Sequence, residues 1–178
     1  TVLITTSSFV MYRQSVRVRG LNVIEVFFDA EWDLAESSML KALEMTPPNV
    51  VFIATPNNPT GNLMSRDRLE RVIQAAAGAL VVVDEAYIDY SSGDHLDLYR
   101  KYENVALLRT LSKVGFAALR VGWLIARPGL VGELDKVRLP YNLPSVSQSI
   151  ATTVLTELGG EVAAIAAAVK DERERLST

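Results

Sequence analysis

The sequence predicts an α/β fold with a three-layer α-β-α arrangement and a mostly parallel mixed sheet. Six apolar runs of strand length recur, and most are continuous rather than alternating, as in strands buried on both faces. Helical patterns lie between most of the runs, which is typical of parallel strands joined by crossover helices. Only residues 111–120 separate the last two runs. That stretch is too short for a full crossover helix, so the sixth strand is predicted to be antiparallel.

The predicted elements follow one another in a regular order. The strand-like runs are VLIT (2–5), NVIEVFF (22–28), NVVFIAT (49–55), ALVVVDE (79–85), NVALLRT (104–110) and VGWLIA (121–126). The helical patterns cover 9–20, 35–45, 65–78, 145–158 and 160–176. Gly20 and Gly78 lie at the ends of their helical patterns, and Ser65 is a predicted N-cap. His95 lies in a loop-like stretch and is expected at the surface.

Composition argues against several classes of protein. The net charge of −3 and a pI near 5.3 argue against a nucleic-acid partner, which selects a basic face. The chain has no cysteine, so disulfides, thiolate catalysis and Cys-ligated metals are excluded. A single histidine makes a His-based metal site or a Ser-His-Asp triad unexpected, and we predict no metal. No apolar run has the length that spans a bilayer, so we expect no membrane partner and a cytoplasmic location.

Polar side chains follow three successive strands at the point where each strand ends. The third strand runs into PNNPTG, the fourth into DEAY and the fifth into RTLSK. Because ligands bind at the carboxyl ends of parallel strands, these groups are expected to meet at one edge of the sheet. The residues are Asn58, Asp84, Tyr87, Thr110, Ser112 and Lys113. Each motif alone is compatible with an ordinary turn, cap or loop, but their joint occurrence at strand ends indicates a ligand site.

Asp84 is the most informative of these residues. It follows three valines, so its carboxylate is partly desolvated and is expected to need a cationic partner. Lys113 and a bound cationic ring are the two candidates. Glu85 is expected to point the other way from a strand-like backbone and is left out of the chemistry.

At these residues the chain resembles the fold-type I pyridoxal-phosphate aminotransferases, most closely the histidinol-phosphate aminotransferases. The matching stretches are SSFVMY, ATPNNPTG, VVVDEAYIDYS, RTLSKVGFAALRVGW and RLPYNLPSVSQ. They run from near residue 1 to about residue 150. The resemblance implies a pyridoxal 5'-phosphate cofactor bound by the family's large domain.

The resemblance also implies a role for each matching residue. Lys113 would bond to the cofactor's aldehyde and, once freed, move the proton at the substrate's α-carbon. Asp84 would pair with the pyridine nitrogen. Tyr87 and Asn58 would hydrogen-bond to the cofactor's 3' oxygen, and Phe9 would stack on its ring.

Three further residues would hold the cofactor's phosphate. They are Thr110, Ser112 and Arg120, with the guanidinium supplying charge-assisted hydrogen bonds. Ser7 stands where the family usually has a proline before the stacking aromatic, which implies a looser entry turn.

The resemblance implies a layout in two parts and an activity. Residues 1–140 would form a pyridoxal-phosphate-binding large domain, incomplete at its N-terminus. Residues 141–178 would begin the interdomain helical segment, with the C-terminal small domain absent, and we expect a fragment of a longer chain. The intact enzyme would be a homodimer that converts L-histidinol phosphate and 2-oxoglutarate into imidazole acetol phosphate and L-glutamate in histidine biosynthesis. Two alternatives are a related decarboxylase of an amino-acid phosphate and a truncated, non-catalytic cofactor-binding module.

Overall fold

A computed structural model describes residues 1–177 and confirms the predicted α/β class and each predicted strand. The strands are β1 (Val2–Thr6), β2 (Val23–Phe27), β3 (Val50–Ala54), β4 (Leu80–Asp84), β5 (Val105–Thr110) and β6 (Gly122–Ile125). They form one sheet in the order β2-β1-β3-β4-β5-β6. The first five strands are parallel, and β6 pairs with β5 in the antiparallel sense, as predicted. Residue 178, the last of the predicted segment 141–178, lies outside the described residues.

Seven helices accompany the sheet over the described residues. They are α1 (Met11–Val18), α2 (Glu36–Met45), α3 (Arg66–Ala75), α4 (Leu96–Lys101), α5 (Pro128–Val137), α6 (Ser145–Thr156) and α7 (Gly159–Ser177). Gly20 follows α1 with a left-handed φ of 66°, a backbone conformation that glycine adopts without strain. Helix α5 was not predicted, because Gly129 and Gly132 have low helix propensity. Leu130, Leu134 and Val137 nevertheless recur at helical spacing, and none of the helix residues is buried.

The core divides between the two faces of the sheet because successive strand residues point to opposite sides. Leu3, Ile53 and Leu107 belong to a cluster that also contains buried residues of α2, α3 and α4. On the opposite face Ile4 packs in a second cluster with residues of α1. The sheet is thereby covered on both sides, as a parallel sheet requires. The carboxyl ends of β3, β4 and β5 are held in register at one edge.

A buried ionic cluster lies just beyond β4 and corrects the expectation for His95. Glu85 is only 1% exposed, and its Oε1 accepts from the backbone N–H of His95 at 2.7 Å. The Nδ1 of His95 lies 2.9 Å from the same oxygen, and the imidazole is therefore buried, at 6% exposure, rather than at the surface. Arg109 on β5 donates to Oε2 at 2.6 Å and to Asp94 at 2.9 Å. Glu85 thus faces away from Asp84, as expected, and joins β4 to β5.

Replacing Glu85 with glutamine is expected to destabilise the fold by about 3 kcal/mol, because it leaves the Arg109 guanidinium without its buried carboxylate. Glu133→Gln is the matched control, since Glu133 is exposed and pairs with Lys136 one helical turn away. That change should cost less than about 1 kcal/mol. Urea unfolding of both variants measures the difference, and equal losses would contradict the account of the cluster.

Acid should weaken the fold through carboxylates that accept hydrogen bonds from arginine. The hydrogen bond from Arg71 lowers the pKa of Glu36, and the hydrogen bond from Arg68 lowers the pKa of Asp29. A lowered folded-state pKa contributes stability above the unfolded value of about 4, and that contribution is lost as the pH falls through the folded value. As the pH is lowered from about 6 to about 3, we expect the urea concentration at the unfolding midpoint to decrease, and to decrease less in Glu36→Gln than in the native protein. An unchanged midpoint would show that these pairs do not stabilise the fold.

Over residues 1–177, no single helix is both long and apolar enough to cross a bilayer. Helices α6 and α7 satisfy these criteria only as a pair, and they are bent by 78° relative to each other.

Candidate active site

A cavity opens at the carboxyl edge of the sheet, where the sequence predicted a ligand site. Its lining residues are Phe9, Tyr12, Ala54, Pro56, Asn58, Asp84, Ala86, Tyr87 and Lys113. Five of the eight predicted site residues are therefore brought together: Phe9, Asn58, Asp84, Tyr87 and Lys113. They come from four separate stretches of the chain, and the parallel register of β3, β4 and β5 brings the last three stretches to one edge.

Lys113 ends a short 3₁₀ turn, Leu111–Lys113, that directly follows β5. The turn is anchored by Leu111 and Val114, both buried against α6 in a third apolar cluster. The hydroxyl of Tyr90 donates to the Lys113 carbonyl oxygen at 2.6 Å. The Lys113 amine lies 5.2 Å from the centre of the Tyr87 ring, within the range of a cation–π contact. A backbone anchored on both sides therefore presents the Lys113 amine to the cavity.

Asp84 is the last residue of β4, and both of its carboxylate oxygens have partners. Oδ1 accepts from the backbone N–H of Ala86 at 2.9 Å. Oδ2 accepts from the hydroxyl of Tyr12 at 2.5 Å. A cationic partner, either Lys113 or a bound ring, was expected from the sequence. Within the chain the partner of Asp84 is a tyrosine of α1 rather than Lys113, and Asp84 can still accept from a ligand.

Asn57 ties the loop before α1 to the PNNPTG turn. It is 2% exposed, and its amide donates to the Ser7 carbonyl oxygen at 3.0 Å and to Thr60 at 2.7 Å. Its side-chain oxygen accepts from the Ser8 hydroxyl at 2.7 Å. The entry turn is thus held by two hydrogen bonds, which join Ser7 and Ser8 to Asn57, although the resemblance implied a looser turn at Ser7. Phe9 follows directly and edges against Tyr12, with ring centres 5.6 Å apart.

The three predicted phosphate ligands do not line this cavity. The hydroxyl of Thr110 donates to the Val121 carbonyl oxygen at 3.0 Å and accepts from the Ser112 backbone N–H at 3.0 Å. The one hydroxyl hydrogen of Thr110 is therefore already donated to Val121. Arg120 is exposed and holds a left-handed backbone with φ 56°, which is uncommon for arginine. The phosphate roles of Thr110, Ser112 and Arg120 stay predictions.

Sequence reasoning missed two residues of this region, Tyr12 and Asn57. Tyr12 and Val16 occupy one helix face, so the tyrosine has the pattern of a packing residue. Its partner Asp84 is 72 positions away, and nothing local indicates that contact. Asn57 stands beside the predicted Asn58, and only its burial distinguishes the two amides. A buried tyrosine requires a partner for its hydroxyl, and this requirement is the one signal that could have indicated a role for Tyr12.

The model of the family "Aminotransferase class I and II" matches residues 1–178 of the chain. The chain belongs to this family. The match covers every strand of the sheet and all the cavity-lining residues, which agrees with the resemblance seen in the motifs.

Individual members of the family share substantial identity with the chain. A histidinol-phosphate aminotransferase of Vesicomyosocius okutanii is 43% identical over 157 residues, covering 88% of this chain and 44% of that protein. The enzyme of the same name from Methylibium petroleiphilum is 42% identical over 178 residues, covering 99% of this chain and 48% of that protein. The chain therefore spans about half the length of these relatives.

A solved structure agrees with the fold. The histidinol-phosphate aminotransferase of Sinorhizobium meliloti, determined in complex with pyridoxal-5'-phosphate, superposes with a TM-score of 0.88 at 22% identity. The superposition covers 98% of this chain and 48% of that one. The six-stranded sheet and its helices are those of the large domain of this class of enzyme.

Proposed function

We propose that this chain forms the cofactor-binding part of a pyridoxal-phosphate-dependent aminotransferase, whose amino donor is L-histidinol phosphate and whose acceptor is 2-oxoglutarate. The observation that carries the proposal is a single cavity lined by a lysine, an aspartate and three aromatic rings. The names of the relatives support the substrate, and the cofactor of the Sinorhizobium meliloti enzyme supports the cofactor.

The residues of the cavity fit a flat, basic ring that carries an aldehyde. Phe9 offers an aromatic face for stacking, and Ala54 and Ala86 leave space because they are small. Asp84 supplies one anionic acceptor for a protonated ring nitrogen, while Lys113 supplies the amine that reacts with an aldehyde. The donor set thus matches pyridoxal phosphate in both charge and shape. When bound, this cofactor supplies an electron-accepting ring that stabilises negative charge at the substrate's α-carbon.

The residues of the chain would perform three tasks around that ring. Asp84 would keep the ring nitrogen protonated by accepting its hydrogen bond. Tyr87 and Asn58 would donate to the ring's oxygen substituent and fix its orientation. The Lys113 amine would take the proton from the substrate's α-carbon as a general base and deliver it as a general acid to the carbon of the cofactor's former aldehyde group.

Beyond the cavity, we propose that Thr110, Ser112 and Arg120 hold the phosphate. Arg120 lies in the loop after Lys113, and its uncommon left-handed backbone is the kind of strain that clusters at ligand sites. Thr110 would exchange its bond to Val121 for one to a phosphate oxygen. Ser112 is half-buried next to Lys113 on the same turn.

The proposed layout assigns residues 1–140 to the large domain and 141–178 to the start of the interdomain segment. Several large apolar residues of α5 and α6 are exposed, among them Leu134, Val137 and Val146. Exposed apolar surface of this extent is consistent with burial by further chain or by a second subunit. We propose that the intact enzyme is a homodimer that works in the cytoplasm.

The proposal is tested with the complete gene product, which is assayed for glutamate formation from L-histidinol phosphate and 2-oxoglutarate. We expect glutamate only when both substrates are present, and no CO2. Release of CO2 from L-threonine phosphate without a 2-oxo acid would instead identify the alternative decarboxylase. Failure of both assays in a protein that still binds the cofactor would identify a non-catalytic module.

A further inference from the structure

The hydrogen bond between Tyr12 and Asp84 involves a residue, Tyr12, to which the family resemblance assigned no role. Tyr12 lies on α1, is 8% exposed and lines the cavity. Its ring stacks on Phe52 of β3, with ring centres 5.0 Å apart and planes inclined by 17°. Phe9 meets the same ring edge-on. Phe9 and Phe52 therefore hold the Tyr12 ring in an orientation in which its hydroxyl points towards Asp84.

The hydroxyl acts on the carboxylate as a donor. It lies 2.5 Å from Oδ2, while the backbone of Ala86 holds Oδ1. Burial and the adjacent Asp84 anion raise the pKa of Tyr12 above its ordinary range, so the hydroxyl keeps its proton at physiological pH. The carboxylate therefore accepts from two donors, one on α1 and one in the turn after β4. Together they fix the plane of the carboxylate group.

We propose that Tyr12 is a positioning residue, whose hydroxyl holds the carboxylate of Asp84 in the orientation that receives a protonated ring nitrogen; this rests on the proposed function. A carboxylate held by one donor alone can rotate about its Cβ–Cγ bond. The second donor removes that freedom before the ligand arrives, so less conformational entropy is lost on binding. Helix α1 carries no other part of the expected cofactor chemistry, and this contact is what couples the helix to the site.

The first arm of the test needs no cofactor. A double-mutant cycle of Tyr12→Phe and Asp84→Ala measures the coupling of the two side chains in the unfolding equilibrium. Phenylalanine keeps the stacked ring and removes only the hydroxyl. We expect a coupling of about tenfold in the equilibrium constant, the effect of one hydrogen bond to a charged group. Additive effects of the two substitutions would overturn the contact.

The second arm measures cofactor binding by absorbance titration. Tyr12→Phe should weaken pyridoxal-phosphate affinity by about tenfold and shift the pH at which the bound yellow band changes, while borohydride still fixes the cofactor on Lys113. Tyr102→Phe is the matched control, since its hydroxyl donates to the Glu70 carboxylate at 2.6 Å outside the cavity lining. The control should change cofactor affinity by less than about twofold, because its hydrogen bond is remote from the cofactor.

The outcomes separate the two proposals. Native-like affinity and an unchanged pH response in Tyr12→Phe would overturn the positioning role, even where the cycle shows coupling. Equal losses in Tyr12→Phe and Tyr102→Phe would also overturn it, because they would indicate a general loss of stability. Absence of a Lys113 adduct in the native protein would overturn the proposed function and the positioning role together. Failure of the proposed function is thus distinguished from failure of the positioning role alone, because in the former the native protein itself forms no Lys113 adduct.

Discussion

Replacing Lys113 with alanine is expected to reduce aminotransferase activity of the complete enzyme by about 10⁴-fold. Lys113 is the lysine that lines the cavity, so its loss removes both the amine that captures the aldehyde and the group that moves the substrate's proton. Proton transfer by a positioned side chain alone is worth about 10² to 10⁴ in rate. Initial rates of glutamate formation measure the effect, with cofactor supplied in excess so that weaker binding does not contribute.

The matched control for this variant is Lys136→Ala. Lys136 is exposed on α5 and pairs with Glu133 at 2.5 Å on the same helix. Its removal should leave the rate within about twofold, since exposed pairs of this kind contribute little. Activity of Lys113→Ala above about a tenth of the native rate would be incompatible with proton transfer by this amine.

Replacing Asp84 with asparagine is expected to lower the rate by about 10² to 10⁴-fold. Asparagine keeps the shape of the side chain; its one oxygen can still accept from Ala86, and its NH2 can donate to the Tyr12 hydroxyl oxygen. It removes the negative charge that would hold a proton on the ring nitrogen. Loss of one partner of a partly buried ion pair costs about 3–5 kcal/mol, which corresponds to this range of rates.

Steady-state kinetics and the absorbance spectrum together test the role of Asp84. The variant should still form the Lys113 adduct, because the amine is untouched, but it should turn over slowly. Asp135→Asn serves as the control, as Asp135 pairs with Arg138 on the exposed face of α5. A normal rate in Asp84→Asn would mean that the ring nitrogen has another partner.

The strands and the gathering of residues at one edge of the sheet were predictable from short-range patterns. Continuous apolar runs such as VVFIA and LVVV identify buried strands without any knowledge of their neighbours. Once the sheet is parallel, the polar residues that end β3, β4 and β5 must share one edge. The proximity of Asn58, Asp84 and Lys113 follows from topology alone, and family resemblance adds their proposed roles.

Contacts between distant segments were not predictable in this way. The burial of His95 depends on Glu85, which follows β4 and is itself paired with Arg109 of β5, while the four residues before His95 are SSGD and give no sign of burial. The Tyr12–Asp84 bond likewise joins a helix face to a strand end. For Thr110, the competing acceptor is the Val121 carbonyl oxygen on the far side of the Lys113 loop. In each case tertiary packing determines the hydrogen-bond partner, and the local periodicity of the sequence carries no information about it.

Covalent capture of the cofactor tests the central claim most directly. The purified protein is mixed with pyridoxal phosphate, its visible spectrum is recorded across pH, and the complex is reduced with borohydride and mapped by peptide mass. We predict a pH-sensitive yellow band and a reduced adduct on Lys113 that is absent from Lys113→Ala. An adduct spread over Lys41, Lys101, Lys136 and Lys170, or no specific adduct, would contradict the assignment of this cavity as the cofactor site.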